Sequence, residues 1–321
     1  MPELNTETYK PGFFFRYGHI NTIFTALLKK PPKSEFNRER IETPDGDFLD
    51  IDKINNHSED LLVLCHGLEG SSKSRYVRST SHLFASKGFD ICAMNYRYCS
   101  GEINRTPQLY HSGYTIDLNT VLNHVEKPYK NIYIIGFSLG GNLVLKYAGK
   151  RGRKINQKIK AICAISAPLH LHSSSLEIMK FENYVYTKKF LITLIKKLKL
   201  KKKQFPNHFD LSTLSKVRNV YDFDEYFTGP LNGFADAKDY YAQCSSLQFL
   251  ENISVPALII NARDDHFLSD LCYPTDDKIG NNANVHYVYP QYGGHVGFYQ
   301  KETYCWNENL ALGFFQSIKS K

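Results

Sequence analysis

IYIIGFSLGGNLVLKYA, residues 132–148, is the stretch on which the fold turns. Ile132, Tyr133, Ile134, Ile135 and Phe137 make an apolar, β-branched and aromatic run, the composition of a strand buried on both faces. Gly136-Phe137-Ser138-Leu139-Gly140 then matches G-x-S-x-G, and Leu143, Val144, Tyr147 and Ala148 follow at helical spacing. Strand, sharp turn and helix form the context in which this motif lifts a serine hydroxyl above the end of a parallel sheet. The glycines have a steric reason. Side chains two residues to either side of the serine would collide with neighbouring backbone, so Gly136 and Gly140 clear the space. The helix that follows points its N-terminus at the serine, where it favours developing negative charge. Ser138 is the candidate nucleophile.

On both sides of this turn, apolar runs alternate with helical patterns. That is the signature of a mostly parallel central sheet with crossover helices on both faces. Residues 61–65, 91–95 and 159–165 read as strands. Helices are expected over 72–87, through Tyr76, Val77, Thr80, Leu83 and Phe84, and around Tyr114, Leu118, Val121, Leu122 and Val125. Alternation stops after residue 168 and resumes with strand patterns at 257–261 and 285–289 and a last helix at 304–318. One core interrupted by a helical cap explains this better than two serial domains. The division is an N-terminal arm (1–37) packing on the core, a first core part (38–168), a cap insertion (169–239) and a second core part (240–321).

A serine hydroxyl needs a base, and a turn of this kind orders its partners Ser, acid, His along the chain. Of twelve histidines, His295 in Gly293-Gly294-His295-Val296-Gly297 follows the last strand pattern in a loop flexible enough to reach Ser138. His286, inside that strand pattern, is the competitor and is expected to pack or face solvent. The acid should follow the preceding strand, where Asp264 and Asp265 are adjacent. Asp265 is the first choice and Asp264 the alternative; the acid orients the imidazole and stabilises its charged form. His66-Gly67-Leu68-Glu69-Gly70 follows the first strong strand. The N–H of Leu68, with that of Leu139, is expected to form the oxyanion hole, leaving the side chains of this loop uninformative. Gly67 allows close approach, and His66 is read as a loop support held by hydrogen bonds.

Composition sets the remaining limits. With 42% hydrophobic and 22% charged residues the chain can bury a sizeable core. Seven widely spaced cysteines without C-x-x-C suggest buried thiols; no metal and no cofactor is expected. The polar, acidic first residues do not look like a leader, and no run reaches the roughly 18 apolar residues of a spanning helix. Residues 12–28 are aromatic-rich but broken by Arg16, His19 and Asn21, so a packing arm is expected; with the reduced thiols, the expected location is cytoplasmic. The net charge of +8 resides in residues 188–203, which hold eight lysines and no acid; outside them basic and acidic residues balance at 32 each. A nucleic-acid footprint would need arginines and a recognisable module as well, so no nucleic-acid partner is expected. The lysine stretch reads first as a cap helix with one buried and one solvated face, and second as a peripheral contact with anionic membrane.

Several motifs together are specific. Pro44-Asp45-Gly46-Asp47, the loop His66 to Ser72, Asn95-Tyr96-Arg97-Tyr98, Leu109-Tyr110-His111-Ser112-Gly113 and Gly136 to Asn142 resemble the YheT-like, or AB hydrolase 4, family of α/β-hydrolases. His19-Ile20-Asn21-Thr22-Ile23 is similar to the family's HLQT segment, with Asn21 in place of Gln. The resemblance runs from about residue 17 to residue 315. It implies an α/β-hydrolase fold, a triad on Ser138, Asp265 and His295, and carboxylesterase or lipase activity on a small-molecule or lipid ester. Phospholipase action, acyl transfer to an alcohol and a non-catalytic binding role are the alternatives. The lysine-rich cap departs from the family pattern and leaves any inherited substrate preference open.

Overall fold

The structure is a computed structural model and describes residues 8–319. Eight strands, β1 (Asn37–Glu42), β2 (Phe48–Ile54), β3 (Asp60–Cys65), β4 (Asp90–Met94), β5 (Asn131–Phe137), β6 (Ile159–Ile165), β7 (Ala257–Ile260) and β8 (Val285–Val288), form one sheet in the order β1-β2-β4-β3-β5-β6-β7-β8. From β4 to β8 every neighbouring pair is parallel; β1–β2 and β2–β4 are antiparallel. Helices α1 (Gly18–Leu27), α2 (Arg75–Ala85), α3 (Thr115–Val125) and α4 (Leu139–Arg151) precede the cap helices α5 (Leu171–Ile178), α6 (Tyr184–Gln204), α7 (Val220–Phe223), α8 (Gly229–Leu231) and α9 (Ala237–Cys244); α10 (Trp306–Lys319) closes the described chain.

The two-residue period of the strands divides the core into two layers. Ile132 and Ile134 of β5 face one side with Leu118 and Val121 of α3 and Leu143 and Val144 of α4. Tyr133, Ile135 and Phe137 face the other with Val77, Leu83 and Phe84 of α2 and Phe314 and Phe315 of α10. All seven cysteines are unpaired, and six are buried.

The β1–β2 hairpin is the element that apolar patterning does not reveal. β1 buries only Ile41, and β2 carries Asp50 and Asp52 at buried positions. The register supplies the reason: Arg40 lies opposite Asp50 and Arg38 opposite Asp52, each pair 2.8 Å apart. Charges that disguise the strands are what pair them. Asp52 also accepts a hydrogen bond from Asn95 (2.9 Å) and one from the Ser72 hydroxyl, so the hairpin grips the loop that follows β3.

Burial is the largest influence and works to raise the Asp50 carboxyl, but the hydrogen bonds from Arg40 and Ser100 and the charges of Arg40 and Arg38 together outweigh it and hold the group below its ordinary value. Such a group contributes stability above its unfolded pKa and loses it as pH falls through the folded one. Arg40→Met should therefore cost about 1–3 kcal/mol at pH 7, less than a fully enclosed pair because Arg40 is partly exposed. The gap from wild type should narrow at pH 4. Urea midpoints at the two pH values check this; a pH-independent gap would contradict it.

Candidate active site

β5 ends at Phe137, and the next residue, Ser138, has a φ of 53° and ψ of −119° that mark the sharp turn into α4. Its N–H donates to the Ile165 carbonyl (2.8 Å), and its own carbonyl accepts from Gly141 N–H (2.8 Å). A Cβ on Gly136 would lie 2.2 Å from the Gly140 carbonyl oxygen, and one on Gly140 2.3 Å from that of Cys65. A side chain at either position would thus overlap backbone.

The structure brings Ser138, His295 and Asp265 into one line. Ser138 Oγ is 2.9 Å from His295 Nε2, and His295 Nδ1 is 2.9 and 3.1 Å from the two oxygens of Asp265. Asp265 is enclosed, His295 nearly so. With the Nδ1 proton directed at the carboxylate, Nε2 is left to accept from the serine. The neighbouring Asp264 has a different place: its Oδ1 accepts from Gly294 N–H (2.8 Å), and burial raises its carboxyl to about 6. His286 lies in β8 with its ring beside Phe314, away from this line.

His66 is fully buried, and both of its nitrogens are engaged. Nδ1 lies 2.7 Å from the Gly67 carbonyl, and Nε2 accepts from Tyr96 N–H at 3.2 Å. Burial lowers it to about 3. A neutral ring with no free nitrogen supports the loop and takes no proton. In that loop Gly67 N–H donates to Tyr76 OH and Glu69 N–H to Tyr110 OH, both at 2.9 Å. Leu68, between them, lines the cavity beside Ser138, and so does Leu139. Leu139 opens α4, where a first-turn N–H has no acceptor within the helix.

Side chains in the loop matter more than its backbone role suggests. Glu69 accepts from Tyr110 OH (2.7 Å) and pairs with Lys197 of α6 (2.8 Å). The lysine stretch is thus not simply one solvated face. Lys197 turns inward to this pair, and Lys201 is fully buried with its ammonium directed at the Thr106 carbonyl. Lys188, Lys189, Lys196, Lys199 and Lys203 remain exposed.

Three further residues hold the His295 loop and were not evident from motifs. The His295 N–H donates to Thr22 Oγ1 (2.8 Å), the Val296 N–H to Ser166 Oγ (2.9 Å), and the Phe267 ring lies 4.4 Å from the imidazole. Thr22 sits in the family-like segment 19–23, which is the one signal that could have singled it out. A cavity opens above Ser138. Its walls are mostly apolar, with Leu109, Leu171, Ile178, Leu194, Val220 and Phe223 from the cap side. No group of three His, Cys, Asp or Glu side chains among the described residues is arranged to hold a metal ion.

Comparison with known proteins follows the same line. The profile of the α/β-hydrolase-fold family matches residues 60–302. The chain is 34% identical to YheT of Escherichia coli over 289 residues, covering 87% of this chain and 84% of that protein. It is 30% identical to human phospholipase ABHD3 over 305 residues (91% and 74%), and 30% identical to a Saccharomyces cerevisiae monoacylglycerol lipase over 289 residues (87% and 61%). Among solved structures, a Pyrococcus furiosus esterase aligns with a TM-score of 0.60 at 16% identity, covering 91% of this chain and 98% of its own. The sheet, the serine turn after β5 and these relatives agree: the chain belongs to the α/β-hydrolase-fold family, in its YheT-like, AB hydrolase 4 branch.

Proposed function

We propose that this protein is a serine hydrolase that cleaves carboxylic esters, with Ser138 as nucleophile, His295 as general base and acid, and Asp265 as the group that orients and stabilises the imidazole. The observation that carries the reading is the continuous hydrogen-bonded line from Ser138 Oγ through His295 to Asp265 at the floor of an apolar cavity.

In the first step His295 Nε2 takes the hydroxyl proton as Ser138 Oγ attacks the ester carbonyl. The oxyanion lies against the N–H groups of Leu68 and Leu139. The C–O bond breaks, and the alcohol leaves with the proton from His295. Water then attacks the acyl-serine by the same route, giving the carboxylic acid and restoring the serine. Amides fixed before reaction stabilise charge as it forms; one such donor is worth about 10²–10³ in rate.

An acyl chain suits the apolar walls, and relatives named for phospholipase and monoacylglycerol lipase action favour a lipid ester over a polar metabolite. Contact of residues 188–203 with anionic membrane would rest on the exposed lysines alone, since Lys197 and Lys201 are turned inward. For location, the structure adds that no helix among the described residues is long and apolar enough to cross a membrane.

Hydrolysis of p-nitrophenyl acetate, octanoate and palmitate should be measurable, and Ser138→Ala should lower it by roughly four to six orders of magnitude. Activity that persists in Ser138→Ala would sink this reading. Thr22→Val removes the acceptor of the His295 N–H while keeping the side chain's shape. It should lower kcat about tenfold with KM unchanged, and Thr22→Ser should restore it. Equal loss in Thr22→Ser would make the contribution one of packing.

A further inference from the structure

Helix α1 is amphipathic in the reverse sense. The residues it turns to the protein are polar: Asn21, Thr22 and Thr25 are buried. Asn21 Nδ2 donates to Tyr9 OH and the Phe15 carbonyl, and its Oδ1 accepts from Tyr299 N–H. The residues turned outward are apolar. Ile20, Ile23 and Leu27, at a spacing of three and four, lie on one exposed face, and Phe13 and Phe14 just before the helix extend it. Phe14 is 70% exposed.

A second exposed apolar stripe begins across a shared seam. His19 of α1, Tyr186 of α6 and His266 stack on one another, and His19 Nδ1 is 3.3 Å from Tyr186 OH. Beside Tyr186, the start of α6 exposes Tyr184, Val185 and Ile192, and Phe181 just before it is 93% exposed. Isolated surface leucines and phenylalanines are ordinary, but two apolar stripes meeting at one seam mark a surface that something covers.

The charge around these stripes is predominantly basic, with Glu182 beside Phe181 an exposed acid among it. Residues 8–34 hold five basic side chains and no acid, and residues 188–203 hold eight lysines and no acid. On α6, Lys188, Ile192, Lys196, Lys199 and Lys203 line one shallow groove with Arg218. Apolar side chains bordered by lysines match a bilayer with anionic headgroups. A second copy of the chain fits poorly, because a two-fold contact would set lysine row against lysine row. Insertion of α1 is excluded by its polar face, which is bonded into the protein.

We propose that α1 with the preceding Phe13–Phe14 turn, and the N-terminal half of α6 with Phe181, form one docking surface that lies on anionic membrane. The apolar side chains enter the headgroup layer and the lysines meet lipid phosphates. This surface is independent of the ester-hydrolase reading, because its occupancy needs no turnover.

Flotation of the full chain with vesicles tests it. The protein should rise with vesicles of phosphatidylcholine and phosphatidylglycerol in equal parts, stay behind with phosphatidylcholine alone, and lose binding as salt is raised. Phe14→Glu with Phe181→Glu should weaken binding about tenfold or more. Lys188→Gln with Lys189→Gln and Lys196→Gln should weaken it selectively at low salt. All variants should keep wild-type hydrolysis of p-nitrophenyl acetate, which shows an intact fold separately from membrane binding. No binding to either vesicle would overturn the proposal, as would binding unchanged in the Phe14→Glu, Phe181→Glu variant. A dimer in sedimentation that Phe181→Glu dissolves, without vesicle binding, would assign the face to a second copy.

Discussion

A non-glycine residue in the left-handed region costs free energy unless its surroundings leave no alternative. At Ser138 the surroundings do this. The N–H is fixed to β6 through the Ile165 carbonyl, α4 begins at the next residue, and the absent side chains of Gly136 and Gly140 let β3, β5 and α4 close to contact. Relax that turn and the hydroxyl drops toward the sheet, the first-turn amide of Leu139 swings away, and the cavity loses its floor. The sheet order, with β5 between β3 and β6, supplies the two walls that hold the strain.

The remaining parts of the site are suspended around that fixed point. The loop after β3 is tied at several places: His66 inside it, Tyr76 and Tyr110 on its amides, Asp52 through Ser72, and Lys197 of the cap on Glu69. Four of these partners, Tyr76, Tyr110, Asp52 and Lys197, lie outside the loop itself. The cap is therefore more than a roof over the cavity. Through the Glu69–Lys197 pair, it touches the loop that carries Leu68, whose amide is one of the two proposed oxyanion donors. A charge pair in apolar surroundings keeps its strength only while both partners stay in place, so any outward movement of α6 is felt at that loop.

Legibility followed the physics of each part. The serine turn and the His295 loop could be read because each needs glycines at the end of an apolar run, a demand visible locally. Adjacent Asp264 and Asp265 could be ranked from sequence but not separated by pattern, since neighbouring residues differ only in which way the backbone turns them. β1 and β2 were hidden because Arg38, Arg40, Asp50 and Asp52 replace the expected apolar alternation by cross-strand charge. Thr22 and Ser166 act on residues far along the chain, and no window of sequence contains both partners. The lysine stretch misled in part for a similar reason: which lysines face Glu69 or the Thr106 carbonyl depends on how the cap is set down, not on composition.

The bond from His295 N–H to Thr22 Oγ1 joins residues near opposite ends of the chain. During synthesis the arm leaves the ribosome well before the His295 loop. A chain interrupted before that loop carries the serine turn and Thr22 but lacks His295, and the loop is anchored only when the two segments meet. The arm acts as a clasp on the loop that carries His295.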